Sequence, residues 1–153
     1  MPTLPSLLDA DLAILALDVG TKRIGIALAD PNGTFAMPLC VVERVNLRDD
    51  ISRISEILNE QNASEIVVGD PITLSGERGI AAERIDDFVK TLARTFHGPI
   101  HRTDERMTTA QATKGLIASD VSRAKRKHVV DKIAAALILE TFLARRKRES
   151  SAS

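Results

Sequence analysis

The chain's 153 residues, 44% hydrophobic and 27% charged, suit one globular domain over 1–153 with a single core, and its ends 1–10 and 149–153 are expected to be flexible. Lysine plus arginine equals aspartate plus glutamate at 21 each, which excludes a net field drawing in a polyanion from a distance, so affinity for one must be local. The single Cys40 excludes an intramolecular disulfide and suits a reducing compartment, and no run of about 18 apolar residues offers a membrane span, so a cytoplasmic protein without membrane contact is expected.

Leu12 to Leu17 is a nearly all-apolar run that stops at Asp18, and Ile24 to Leu28 is a second, reached through Val19-Gly20-Thr21-Lys22-Arg23. Two adjacent strands with a tight connection follow from that pattern. Asp30-Pro31-Asn32-Gly33 is turn chemistry, and the third run, Phe35 to Val42, contains Pro38. Proline cannot donate to a ladder, so this strand is expected at a sheet edge, with Cys40 as a core residue. Leu47, Ile51, Ile54 and Leu58 recur at helical spacing behind Asn46, a residue suited to an N-cap.

Glu65-Ile66-Val67-Val68 reads as a buried strand halted at Gly69-Asp70-Pro71, and the stretch to Gly79 is loop by its Pro, Ser and Gly residues. Ile80, Ile85, Phe88, Val89, Leu92 and Phe96 make a second helix that Gly98-Pro99 ends. Ile100 to Asp104 is a weak strand, placed because the sheet needs an element there. Thr108-Thr109-Ala110-Gln111 has the form of a capping box and opens a short third helix. A basic connector follows, then a last helix from about Val129 to Arg146. This order predicts an α/β domain whose five-stranded mixed sheet is flanked by helices.

Three acids stand at the boundaries of apolar elements. Asp18 ends the first strand beside Gly20, where the backbone can pass close to a ligand; the alternative is a turn aspartate bonded to its own backbone. Asp104-Glu105-Arg106 ends the last strand, and Asp131 precedes Ile133-Ala134-Ala135-Ala136-Leu137 in the first turn of a helix, where an acid also suits the helix dipole. For Glu105 the plain alternative is a surface ion pair. Strand neighbours face opposite sides, so only one of Asp104 and Glu105 can join the other acids.

Brought together, such carboxylates repel by roughly 4 kcal/mol per pair at about 4 Å and an effective dielectric of 20. A proton or a divalent ion must offset that, and hard oxygen donors without a His or Cys cluster select Mg²⁺ or Mn²⁺ over Zn²⁺. Two ions roughly 3.5 to 4 Å apart can activate a water and stabilise the leaving oxygen of a phosphodiester. With no neutralising partner in the neighbouring sequence, Asp131→Asn is expected to raise the melting temperature of the metal-free protein. His97 and His101 lack metal-ligand spacing and read as surface residues.

Leu17-Asp18-Val19-Gly20-Thr21-Lys22-Arg23-Ile24-Gly25, Gly69-x-Pro71 with Gly76 and Gly79, Asp104-Glu105-Arg106-Met107-Thr108-Thr109, and Val130-Asp131-Lys132-Ile133-Ala134-Ala135 together resemble the YqgF/RuvX family over roughly Leu12 to Leu143. Four motifs in the right order make the match far more specific than any one of them. The resemblance implies a ribonuclease H-like fold with Asp18, Glu105 and Asp131 as catalytic and metal-holding acids, and Glu105 is chosen over Asp104 on that ground. It implies a nuclease described in two ways, as maturing the 5′ end of pre-16S ribosomal RNA and as resolving Holliday junctions. Asp70 occupies the variable place in Gly69-Asp70-Pro71 and reads as a loop acid rather than a further ligand. Ser75 stands where an acid is expected before Gly76, which removes a charge from that loop.

Lys22, Arg23 and the run Arg123, Lys125, Arg126 and Lys127 are the candidate nucleic-acid contacts, the run resembling a mobile basic loop of the family. Arg145, Arg146, Lys147 and Arg148 form a second run that equally suits a helix C-terminus. Asp-x-Gly-Thr also resembles the first phosphate hairpin of actin-like ATPases, but those have two such domains and a second glycine-rich motif. A non-catalytic binding module is the other alternative, and the presence of all three acids favours catalysis. Four Phe with no Trp or Tyr leave little surface for stacking bases, so shape or a partner such as a ribosomal particle must direct cutting on precursor rRNA or branched DNA. A monomer or homodimer is expected.

Overall fold

The computed structural model describes residues 13–30, 36–70, 79–104 and 123–152. Three strands, β1 (Ala13–Val19), β2 (Arg23–Ala29) and β3 (Ala36–Glu43), form an antiparallel meander; β4 (Ala63–Asp70) and β5 (Ile100–Asp104) extend it parallel to β1. The sheet order is β3-β2-β1-β4-β5, the expected five-stranded mixed sheet. Central position explains the uniform apolarity of β1, which is covered on both faces. Pro38 lies on the outermost strand, as its missing donor requires. Cys40 is half-buried there, and burial pushes its thiol up from the ordinary value.

Helices α1 (Leu47–Glu60) and α2 (Ile80–Ala93) cover one face. Asn46 caps α1, its Oδ1 accepting the Asp49 N–H at 2.8 Å. Leu15, Leu17, Ile24, Ile26, Ile66 and Val68 point into this layer and meet Ile51, Ile54 and Leu58 of α1 and Ile85, Phe88 and Leu92 of α2. The alternate strand residues Ile14, Ala16, Ala27, Ala29 and Val67 face the other way, onto Ala135, Ala136, Ile138 and Leu139 of the last helix, α3 (Arg123–Ala152). None of the described helices is long and apolar enough to cross a membrane.

One expectation changes. The last helix does not start at Val129 behind a basic connector; it runs from Arg123 to Ala152, so Arg123, Lys125, Arg126 and Lys127 belong to it. The apolar period begins near Val129, but Lys and Arg are good helix formers and no Gly or Pro stands between Arg123 and Ala152 to stop the helix. The short helix expected at Thr108, and the loop with Ser75 and Gly76, lie outside the described residues.

Candidate active site

Asp18 is the last residue but one of β1 and pairs across the ladder with Gly25 of β2. It shares strand parity with Ile14 and Ala16, so it stands on the α3 face, 9% exposed. The hairpin beyond it closes through Gly20, whose N–H donates to the Arg23 carbonyl at 2.9 Å. A Cβ on Gly20 would stand 2.9 Å from that oxygen, so a larger residue would force the turn open.

Gly25 is the point at which the helix meets this strand. A Cβ there would collide with the main-chain carbonyl of Asp131 and lie 3.0 Å from the Lys132 nitrogen. One glycine is thus the ladder partner of Asp18 and the contact of Asp131, which brings two of the three predicted acids to one place on the sheet. Glu105 lies outside the described residues. Among the described residues no three His, Cys, Asp or Glu side chains form a metal-holding group.

Arg23 shares the parity of Gly25 and therefore reaches the same face. Its Nε donates to Oδ2 of Asp131 at 3.1 Å, and its Nη1 lies 3.8 Å from Glu43 Oε2. Asp131 has no neutralising partner in the neighbouring sequence, but strand alternation delivers a guanidinium to it across the sheet, so its charge is not left to repulsion alone. Lys22 sits exposed in the turn, and its carbonyl accepts the Arg44 N–H at 2.9 Å. Asp70 shares parity with Ile66 and Val68 and belongs to the opposite face, where Arg102 Nη2 donates to it at 2.8 Å and Arg102 Nη1 donates to Asp86 of α2 at 2.9 Å. Asp70 is therefore a paired strand-end acid on the side of the sheet away from Asp18.

A family model described as "RuvX: Holliday junction resolvase" matches residues 12–145. A protein described as "Putative pre-16S rRNA nuclease" from Desulforudis audaxviator is 41% identical over 136 residues, 89% of this chain and 96% of its own length. Another so described, from Thermoanaerobacter pseudethanolicus, is 42% identical over 139 residues, 90% of this chain and 100% of its own. The chain belongs to the RuvX family. Thermus thermophilus RuvC, solved with a Holliday junction substrate, superposes with a TM-score of 0.56 at 16% identity over 89% of this chain and 96% of that one. At that identity it speaks for the shared ribonuclease H-like fold of the RuvX chain.

Sequence reasoning missed two polar groups of this RuvX chain. His101 is not a plain surface residue: its ring lies 4.8 Å from Phe142, and its Nε2 is 3.6 Å from Glu65 Oε1. Arg146 donates to both Glu65 oxygens, at 2.9 and 3.1 Å, which ties one member of the second basic run to the sheet. That hydrogen bonding holds the Glu65 carboxyl below its ordinary value against the opposing effect of burial. The other group is Arg44 with Asp50, beside the turn after Asp18. Neither has a local signal, since their partners are remote in sequence or alternate with ordinary surface charges.

Proposed function

We propose that this protein is a divalent-metal-dependent nuclease that hydrolyses phosphodiester bonds, with Asp18, Glu105 and Asp131 as its acids. The convergence of Asp18 and Asp131 on Gly25 carries this reading. Glu105 is taken as the third acid over its neighbour Asp104 on the ground of the family resemblance. The donors are carboxylate oxygens with no His or Cys among them, one carboxylate being nine-tenths buried, and that set fits Mg²⁺ or Mn²⁺, as two ions. Bound to these acids, the ions would supply an activated water and stabilisation of the leaving oxygen.

Arg23 orients the Asp131 carboxylate and offsets part of the repulsion among the acids. Lys22 and the Arg123, Lys125, Arg126 and Lys127 positions at the head of α3 are the phosphate contacts in this reading. The substrate we infer is the 5′ end of precursor 16S ribosomal RNA, in the cytoplasm and carried on ribosomal particles. Support comes from relatives so named that align with this chain over nearly their whole length. The family description favours a second reading, resolution of a branched DNA junction.

A parallel assay on precursor ribosomal particles and on a four-way DNA junction, both with Mn²⁺, separates the two. Mn²⁺-dependent shortening of the RNA 5′ end, lost in Asp18→Asn, is the expected result. Cutting of the junction alone would move the function to DNA. A folded protein that binds both substrates and cleaves neither would leave a non-catalytic binding module.

A further inference from the structure

Arg44 follows β3 and spans the gap between the turn after Asp18 and the start of α1. Its N–H donates to the Lys22 carbonyl at 2.9 Å, and its Nη1 donates to the Gly20 carbonyl at 2.9 Å. Its Nε donates to Oδ2 of Asp50 at 2.9 Å. Asp50 is 2% exposed, and its second oxygen accepts the Val45 N–H at 2.9 Å. The Phe88 ring lies 5.6 Å from the guanidinium carbon, so the cation rests on the apolar layer between α1 and α2.

A buried carboxylate is weak as a stabilising device, because a well-packed apolar side chain often does as well or better. Its presence here is explained by what it holds. The guanidinium is a rigid fork that can serve Asp50 through Nε and the Gly20 carbonyl through Nη1 at once, which a lysine ammonium on a flexible stem does not reproduce. The turn Gly20-Thr21-Lys22 is itself exposed and starts with a residue of wide conformational freedom, so its shape depends on outside anchors.

We propose that Arg44 is a positioning residue of the nuclease site. Anchored by Asp50 and Phe88, it sets the conformation of the Gly20 to Lys22 turn, and through that turn the stance of Asp18 and Lys22. This rests on the reading of Asp18 as a catalytic acid.

The test compares Arg44→Lys with wild type and with Asp18→Asn, on whichever of the two substrates wild type cleaves. Steady-state kinetics are read beside hydrogen exchange of the Gly20 amide. Arg44→Lys is expected to lower kcat by about tenfold or more, with a smaller rise in KM from the displaced Lys22, since a misplacement near 1 Å can cost about 10²-fold. The Gly20 amide, which bonds the Arg23 carbonyl, should exchange faster. If Arg44→Lys does not fold, Asp50→Asn, which keeps the arginine and weakens its anchor, carries the same expectation. A lowered melting temperature with wild-type kcat per folded molecule and unchanged Gly20 exchange would overturn the role of Arg44 alone. Cleavage that survives Asp18→Asn would remove the site itself, and the positioning role with it.

Discussion

The two faces of the sheet are built from different materials. Toward α1 and α2 the strands present Leu15, Leu17, Ile24, Ile26, Ile66 and Val68, and the helices answer with Ile54, Phe88 and Leu92, all nearly or wholly out of water. Toward α3 they present Gly25, Ala16, Ala27 and Ala29 beside Ile14 and Val67, and the helix answers with Ala135 and Ala136 beside Ile138 and Leu139. Large side chains on one face fill a thick layer that holds the sheet. On the other, Gly25 and its alanine neighbours let a helix backbone touch a strand, and that contact stands at the level of Asp18 and Asp131. In the proposed reading the chemistry thus stands on the face with the smaller side chains, while the larger apolar layer lies on the other.

Exchanging the roles of the faces breaks the comparison most severely. Ile54→Ala opens a cavity in the thick layer and should cost about 2–5 kcal/mol of stability, with the rate per folded molecule close to wild type. Gly25→Ala should show the reverse balance: overpacking against the Asp131 carbonyl costs about 1–3 kcal/mol, but α3 must move to relieve it, and cleavage should fall further than folding. Urea unfolding together with initial rates normalised to the folded fraction checks both. Equal rate losses in the two variants would mean that the faces share the chemistry.

Smaller changes sharpen it. Crowding of acids alone predicts that Asp131→Asn stabilises the metal-free protein, yet Arg23 lies 3.1 Å from that carboxylate, with the two side chains 19% and 24% exposed. The expected outcome is therefore a loss of about 0–1 kcal/mol, read as a slightly lower melting temperature without metal. A clear rise would mean that repulsion outweighs the Arg23 pair.

The smallest effect lies at the far end of α3, where Arg146 and Glu65 pin the helix. Arg146 holds the Glu65 pKa below its unfolded value, so the carboxylate stabilises the fold above about pH 4.3, and that contribution fades as pH falls through the folded-state value. Glu65→Gln should lower stability slightly at neutral pH and flatten the acid limb of a urea-midpoint profile. A parallel profile for wild type and variant would show that the pair adds nothing to folding.

Local pattern determined the first four strands, helices α1 and α2, the edge position of the Pro38 strand and the Asn46 cap, because alternation, helical spacing and capping are properties of neighbouring residues, whereas β5 follows only from the sheet's need for an element there. It placed the start of the last helix too late, because an apolar period marks only the packed part of a helix, and a charged stretch without Gly or Pro continues it. Tertiary structure decided the partners. Arg23 finds Asp131 across 108 residues, and Arg44 joins the Asp18 turn to a buried acid and to Phe88. Those contacts depend on which strands lie side by side and how closely a helix approaches them. Gly25 makes the dependence plain: in sequence it is one glycine in a motif, and in the fold it is the place where the absence of a Cβ lets a helix reach the sheet.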